Sequence, residues 1–212
     1  MSERKGQAKA APSDSREALL QAAKRVFAAK GFEGATVKDL ADEAGVNVSL
    51  VSYHFGGKEN LYRECMESFG TERVESVERM LKTPTSTEEF KLRLKMFAED
   101  IIAIHEREGD TCRMIHRSMD TLDPVSVDIF KNIFVRIFNA LLKFVESGKR
   151  NGLVKGELDT EIVSAMLFGS LMHMVKAEQL RKILNLRSLS EPQYREAVIE
   201  HWVRSFAEGI LT

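Results

Sequence analysis

Only two cysteines, four prolines and one tryptophan occur among the 212 residues, and 31 basic against 32 acidic side chains leave a net charge of −1. Cys65 and Cys112 stand far apart with no CxxC or Cys/His spacing, which excludes a disulfide framework and a structural zinc site; buried free thiols are the simpler reading than a redox pair. No stretch approaches the roughly 20 uninterrupted apolar residues of a membrane span, and the first residues hold no apolar signal-peptide core, so a cytoplasmic protein away from membranes is expected. A near-zero net charge excludes a global basic field, so any nucleic-acid surface must be local. Catalytic signatures are missing as well. There is no glycine-rich phosphate loop, no Gly-x-Ser-x-Gly and no His-Glu-x-x-His, and the carboxylates are dispersed among basic residues as i, i+4 partners would be. No catalytic residue, metal or cofactor is expected.

What is present begins with residues 45–58, Gly-Val-Asn-Val-Ser-Leu-Val-Ser-Tyr-His-Phe-Gly-Gly-Lys. Just before them Thr36 can cap a short helix whose apolar positions Val37, Leu40, Ala41 and Ala44 recur at helical spacing, and Gly45 can take the left-handed conformation that stops it. A helix that stops sharply and restarts two residues later reads as a helix-turn-helix. In that motif the second helix lies in the major groove with its N-terminal side chains on base edges, while the first crosses the backbone. Asn47, Val48, Ser49 and Ser52 are the short side chains placed for base contact. A local basic excess, Arg4, Lys5 and Lys9 with Arg16 beyond Pro12, fits either a solvated flexible leader over residues 1–13 or an arm on the phosphates.

Four segments resemble the TetR family of bacterial transcription regulators. They are the apolar helix from Ala18 to Phe32 with its Lys30-Gly31-Phe32 end, the Thr-capped Thr36-Val37-Lys38-Asp39-Leu40-Ala41, the triplet Tyr53-His54-Phe55, and Lys58-Glu59-x-Leu61. Ser52 stands where the family often carries tyrosine. The resemblance implies phosphate contacts from Thr36, Tyr53, His54 and Lys58, double-stranded operator DNA as partner, a homodimer, and a body that binds a small-molecule effector.

Beyond Lys58 apolar residues recur at three and four, and the breakers fall between periodic segments, so the fold class is all-α. Helices are expected over Lys58–Leu81, Thr87–His105, Cys112–Met119, from an Asp123 cap with Pro124 at the first position to Gly148, over Thr160–Leu184 and over Glu191–Leu211. With the head this makes about nine helices. The head is expected to span residues 14–60 and the body 61–212, joined by the helix from Lys58.

Small and apolar residues on the last two helices, Met166, Gly169, Met172 and His173 with Trp202 and Phe206, are the expected dimer surface, with an internal core as the alternative. The resemblance places an effector among the central helices. Phe97, Ile101, Phe130, Phe134 and Phe138 would give apolar walls, with His105, Arg113, His116 and Arg117 as polar groups that orient a ligand. The competing reading is a stripe of core phenylalanines with surface charges, in a body that answers to a protein partner or to no ligand. An all-helical enzyme is a more distant alternative. The expectation is a repressor that a small apolar or amphipathic effector releases from a palindromic operator.

Overall fold

The computed structural model describes residues 12–122 and 124–212; the basic leader residues Arg4, Lys5 and Lys9 and the expected cap Asp123 lie outside them. The described helices are α1 (Pro12–Gly34), α2 (Val37–Ala44), α3 (Ser49–Phe55), α4 (Lys58–Met80), α5 (Thr87–Arg107), α6 (Gly109–Thr121), α7 (Pro124–Arg150), α8 (Thr160–Lys176), α9 (Glu178–Ile183) and α10 (Pro192–Ile210). The only other regular pairing among the described residues is an isolated antiparallel bridge between Val154 and Leu211. The class is all-α, as the periodicity implies.

Several boundaries differ from expectation; α5 runs on to Arg107 and α6 spans Gly109–Thr121, a longer helix than the expected Cys112–Met119. α1 opens at Pro12, so the last two residues of the expected leader are helical, in keeping with the fitness of proline for a first turn. Gly148 does not end α7: the helix continues to Arg150, and a Cβ at Gly148 would fall 2.9 Å from the Phe90 ring. The single helix expected from Thr160 to Leu184 is divided at Ala177 (φ −74°, ψ −8°). There the Glu178 carboxylate accepts the Leu189 N–H at 3.2 Å and the Ser188 hydroxyl, bonds that tie α9 to the segment leading into α10.

The chain forms two compact units. The head comprises residues up to Phe69 together with Asp110–Ile129, and the body comprises Gly70–Gly109 and Phe130–Thr212. The head therefore extends past residue 60 and includes α6, and both α4 and α7 pass from one unit into the other. In the head, Leu19, Ala22, Ala23, Val26 and Phe27 follow helical spacing and are buried, as are Leu40, Ala41, Val51, Phe55, Leu61, Tyr62 and Met66. Phe27 meets Tyr62 edge-on at 4.8 Å and Phe32 meets the same ring at 4.9 Å, so one tyrosine of α4 locks the end of α1. Neither cysteine forms a disulfide and both are buried; burial pushes the Cys65 thiol up to about 12, which leaves it inert.

The body core is built on the stripe Phe90, Leu94, Phe97, Ala98 and Ile101 of α5, with Phe90 stacked on Phe144 of α7 at 4.5 Å. Arg73 Nη1 of α4 donates to both carboxylate oxygens of Asp100 at 3.1 Å, an ion pair that links α4 to α5. Among the described residues no helix is long and apolar enough to cross a membrane, and no group of three His, Cys, Asp or Glu side chains is placed to hold a metal ion.

The start of α2 is a capping box. Thr36 Oγ1 accepts the Asp39 N–H at 3.0 Å, the Asp39 carboxylate accepts the Thr36 N–H at 2.9 Å, and Lys30 Nζ donates to Asp39 at 2.7 Å. The Lys30 hydrogen bond, and after it the two from Thr36, hold the Asp39 carboxyl down to about 2 from an ordinary 3.8. Because the folded value is the lower one, this stabilisation is complete above the unfolded value and is lost as pH falls through about 2. Asp39→Asn should therefore melt below the parent near neutral pH, with a gap that narrows as acid protonates Asp39 in the parent. Thermal melts across that range check it, and a gap that does not change with pH contradicts the assignment.

Candidate nucleic-acid interface

α2 ends because Gly45 adopts φ 67°, ψ 30° and returns its N–H to the Ala41 and Asp42 carbonyls. A side chain with a Cβ resists that left-handed geometry, so glycine makes the turn sharp. Two residues on, Asn47 Oδ1 accepts the Ser49 N–H at 2.9 Å and the Ser49 hydroxyl at 2.7 Å. Asn47 thus caps α3 with its side chain, and Ser49 is held to it.

α3 is seven residues long and buries Val51 and Phe55. The opposite edge is open. Val48 is 49 % exposed and Tyr53 76 % exposed, and Ser49 and Ser52 are exposed beside them. No lysine or arginine lies on α3 itself. The arrangement presents a short, mostly uncharged row of hydroxyl, methyl and phenol groups, suited to base edges and a thymine methyl more than to phosphate.

The remaining expected contact residues are placed differently. Thr36 is exposed, but its hydroxyl serves the capping box. His54 is half-buried and its Nε2 shares a hydrogen bond with Ser15 Oγ at 2.9 Å, which ties α3 back to α1. Lys58 points at the end of α1: Nζ donates to the Phe32 carbonyl at 2.9 Å and the Ala35 carbonyl at 3.1 Å, and lies 4.3 Å from the centre of the Phe32 ring. Orphan carbonyls and an aromatic face attract an ammonium, so Lys58 is built into the head. Val48, Ser49, Ser52 and Tyr53 are exposed along one edge, with Asn47, also exposed, at the start of the helix; His54 and Lys58 are half-buried and not part of that edge.

The residues expected to line an effector pocket fall in two different units. Phe97, Ile101, His105, Phe130, Phe134 and Phe138 belong to the body, and Arg113, His116 and Arg117 to the head. The polar members already serve the protein. Arg113 pairs with Asp110 one helical turn away. Arg117 donates to the Ala29 carbonyl at 3.2 Å. His105 Nδ1 donates to the Ile101 carbonyl at 2.6 Å, and burial holds this imidazole below the usual histidine range. Phe97 is wholly buried, while Phe130 and Phe134 touch each other at 4.8 Å on half-buried positions of α7. An open groove of about 740 Å³ lies elsewhere in the body, between α5 and α10, where Lys91, Leu92 and Lys95 face Val203, Arg204 and Leu211.

The expected dimer residues also divide. Trp202 is 4 % exposed in the single chain, its indole N–H donates to Ser170 Oγ at 2.8 Å, and its ring meets Phe206 at 5.3 Å. It fastens α10 to α8 within one protomer and is not a surface anchor. Met172 and Phe206 are half-buried. Met166, Gly169 and His173 are exposed on α8 along with Ile162 and Ala165, at spacings that put them on one face; a Cβ at Gly169 would meet nothing within 4 Å.

Two anchoring residues had no signal in the sequence. Ser15 receives His54 from a position 39 residues away, and Arg117 reaches Ala29 across 88. Neither lies in a motif or a periodic stripe that marks its partner.

The geometry has counterparts. The model of the family described as bacterial regulatory proteins, tetR family, matches residues 19–65. Over 51 residues, 24 % of this chain and 27 % of that protein, the sequence is 45 % identical to the HTH-type transcriptional repressor AcnR of Corynebacterium glutamicum. The solved structure of the ketosteroid transcriptional regulator KstR2 of Mycobacterium tuberculosis has a TM-score of 0.72 at 19 % identity, covering 98 % of each chain. That of the transcriptional regulator FadR from Bacillus subtilis, in complex with stearoyl-CoA, has a TM-score of 0.67 at 19 % identity over 92 % of this chain and 98 % of that one. The two solved structures share the fold, and the family match spans the capped α2, the Gly45 turn and the open edge of α3, so the helix-turn-helix head is similar to that of the TetR family of bacterial regulatory proteins.

Proposed function

We propose that this protein is a cytoplasmic transcription regulator that binds a palindromic operator as a homodimer, a repressor released by a small apolar or amphipathic effector. The observation that carries the DNA reading is the edge of α3: four adjacent side chains face solvent, while the histidine and lysine around them are turned inward. A helix edge that faces solvent, on a helix whose inward groups fix its orientation, is suited to docking in a groove. The dimer reading rests on the exposed apolar face of α8, since Ile162 is 61 % and Met166 58 % exposed. One head reaches one half-site, so two copies are needed for two.

The effector reading rests on relatives and on chain continuity. FadR was solved with stearoyl-CoA, an apolar acyl chain on a large charged headgroup, and KstR2 is named for ketosteroids, apolar ring systems with few polar groups. α4 begins beside the reading helix and continues into the body, so a ligand that favours one body conformation can bias the heads by its differential affinity, typically about 1–3 kcal/mol. Native mass spectrometry of the purified protein, followed by denaturation, tests for such a molecule.

Operator sequences selected from a random pool would allow two measurements on α3. Ser52→Ala and Val48→Ala should weaken binding to the selected sequence by about 1–3 kcal/mol for each good base contact and leave binding to random DNA unchanged. Equal losses on both would remove the edge of α3 from base readout. Asn47→Ala is a poorer probe, because it also uncaps the helix.

Lys58→Ala separates two roles. As an anchor of α1 it should lower the melting temperature of the protein while leaving the salt dependence of DNA binding at the parent slope. A slope reduced by about one unit would instead make it a phosphate contact.

For the dimer, Met166→Glu should give folded monomers in sedimentation with weakened operator binding, because the residue is exposed in the single chain. A variant that remains dimeric would move the interface off this face of α8.

A further inference from the structure

α1 does not run straight to its end. Gly31 interrupts it with φ 74°, ψ 175°, and the chain turns through residues 31–36 before Thr36 caps α2. Arg117 of α6 sits on that interruption. Its Nη1 donates to the Ala29 carbonyl at 3.2 Å, and its Nε occupies the space beside Gly31, 2.6 Å from where a Cβ would fall. From the α4 side Lys58 covers the carbonyls of Phe32 and Ala35. The carbonyls of residues 29, 32 and 35 are thus each met by a cation, where the end of a helix concentrates partial negative charge.

α6 is in turn fixed to α4. Ser118 Oγ donates to the Met114 carbonyl of its own helix at 2.9 Å and so accepts its bond from the Tyr62 hydroxyl. Tyr62 is the ring that holds Phe27 and Phe32. Arg117 and Ser118, adjacent on α6, therefore reach the same turn by two routes, one directly and one through Tyr62. In the chain α6 stands between α5 and α7, both of which contribute to the body.

We propose that Arg117 is a positioning residue for DNA binding: from α6 it sets the turn at residues 31–36, and with it the direction in which α2 and α3 leave α1, without touching DNA. The proposal rests on the reading of α3 as the operator-reading helix. It gives Arg117 a role in the head in place of the ligand role that its charge suggests.

The test compares the parent, Arg117→Ala and Arg117→Lys by amide hydrogen exchange in the absence of DNA and by titration of the selected operator. In Arg117→Ala the amides of residues 31–36 should exchange about three- to tenfold faster, the order expected for one lost charge-assisted hydrogen bond at a solvated site, while amides in the α5 and α7 cores keep the parent rate. Operator affinity should fall by about the same factor. Arg117→Lys retains a cation for the Ala29 carbonyl and should restore most of both. Parent exchange rates in the turn of Arg117→Ala would overturn the proposal, as would faster exchange with unchanged operator affinity, or an acceleration spread evenly over the whole chain. If Arg117→Ala does not fold, Arg117→Lys decides, since a purely bulky or structural role predicts no recovery of the turn. The exchange arm needs no DNA. A parent that binds no operator therefore refutes the regulator reading without being mistaken for a failure of the Arg117 assignment.

Discussion

Every helix leaves its last carbonyls without an intrahelical partner, and the way α1 meets that requirement organises the head. Lys58 donates to the carbonyls of Phe32 and Ala35 from the first residue of α4. The bond to Ala35 closes a loop that contains the whole helix-turn-helix, so both ends of the motif are held at one point. Within that loop the Thr36 capping box fixes where α2 begins and Gly45 fixes where it stops. Ser15 restrains His54 near the end of α3, which leaves the outer edge of α3 facing solvent. Two short helices of eight and seven residues have little stability of their own, and closing them into one loop supplies the rigidity that base reading needs.

Charge follows the same division. The chain is nearly neutral and α3 carries no lysine or arginine, so on the proposed reading its outer face meets base edges while the attraction to phosphates comes from other elements. Several cations of the head are turned to internal work: Lys58 and Arg117 on carbonyls, Lys30 on Asp39, Arg25 on Glu43. Cations so engaged are not available to phosphates, and non-specific DNA binding scales with the number of phosphates neutralised.

The local grammar of the head was legible in the sequence. A capping threonine, a glycine at the stop and an apolar repeat are one-dimensional signals, and the structure places α2, the turn and α3 where they indicate. Legibility ended where the partner lay far along the chain. Nothing near Lys58 marks it as the cap of a helix that ended 24 residues earlier, and Arg117 reads as a surface or pocket charge until Gly31 is found beneath it. Trp202 is a case of a different kind: its apolar stripe was visible, but whether a stripe meets its own protomer or a partner is not written in periodicity. The hydrogen bond to Ser170 resolves it inward and leaves Met166 and Gly169 outward. The break at Ala177 was hidden for the same reason, since the bonds of Glu178 go to Ser188 and Leu189.

The central claim is that two copies of one head, each held rigid from behind, read DNA through the edge of α3. Hydroxyl-radical footprinting of the selected operator tests it most directly. The account predicts two protected tracts related by a dyad, on one face of the duplex, with their centres one helical turn, about 34–36 Å, or a small multiple of it apart. A single tract without a symmetry mate, or protection spread evenly along any sequence offered, would contradict it.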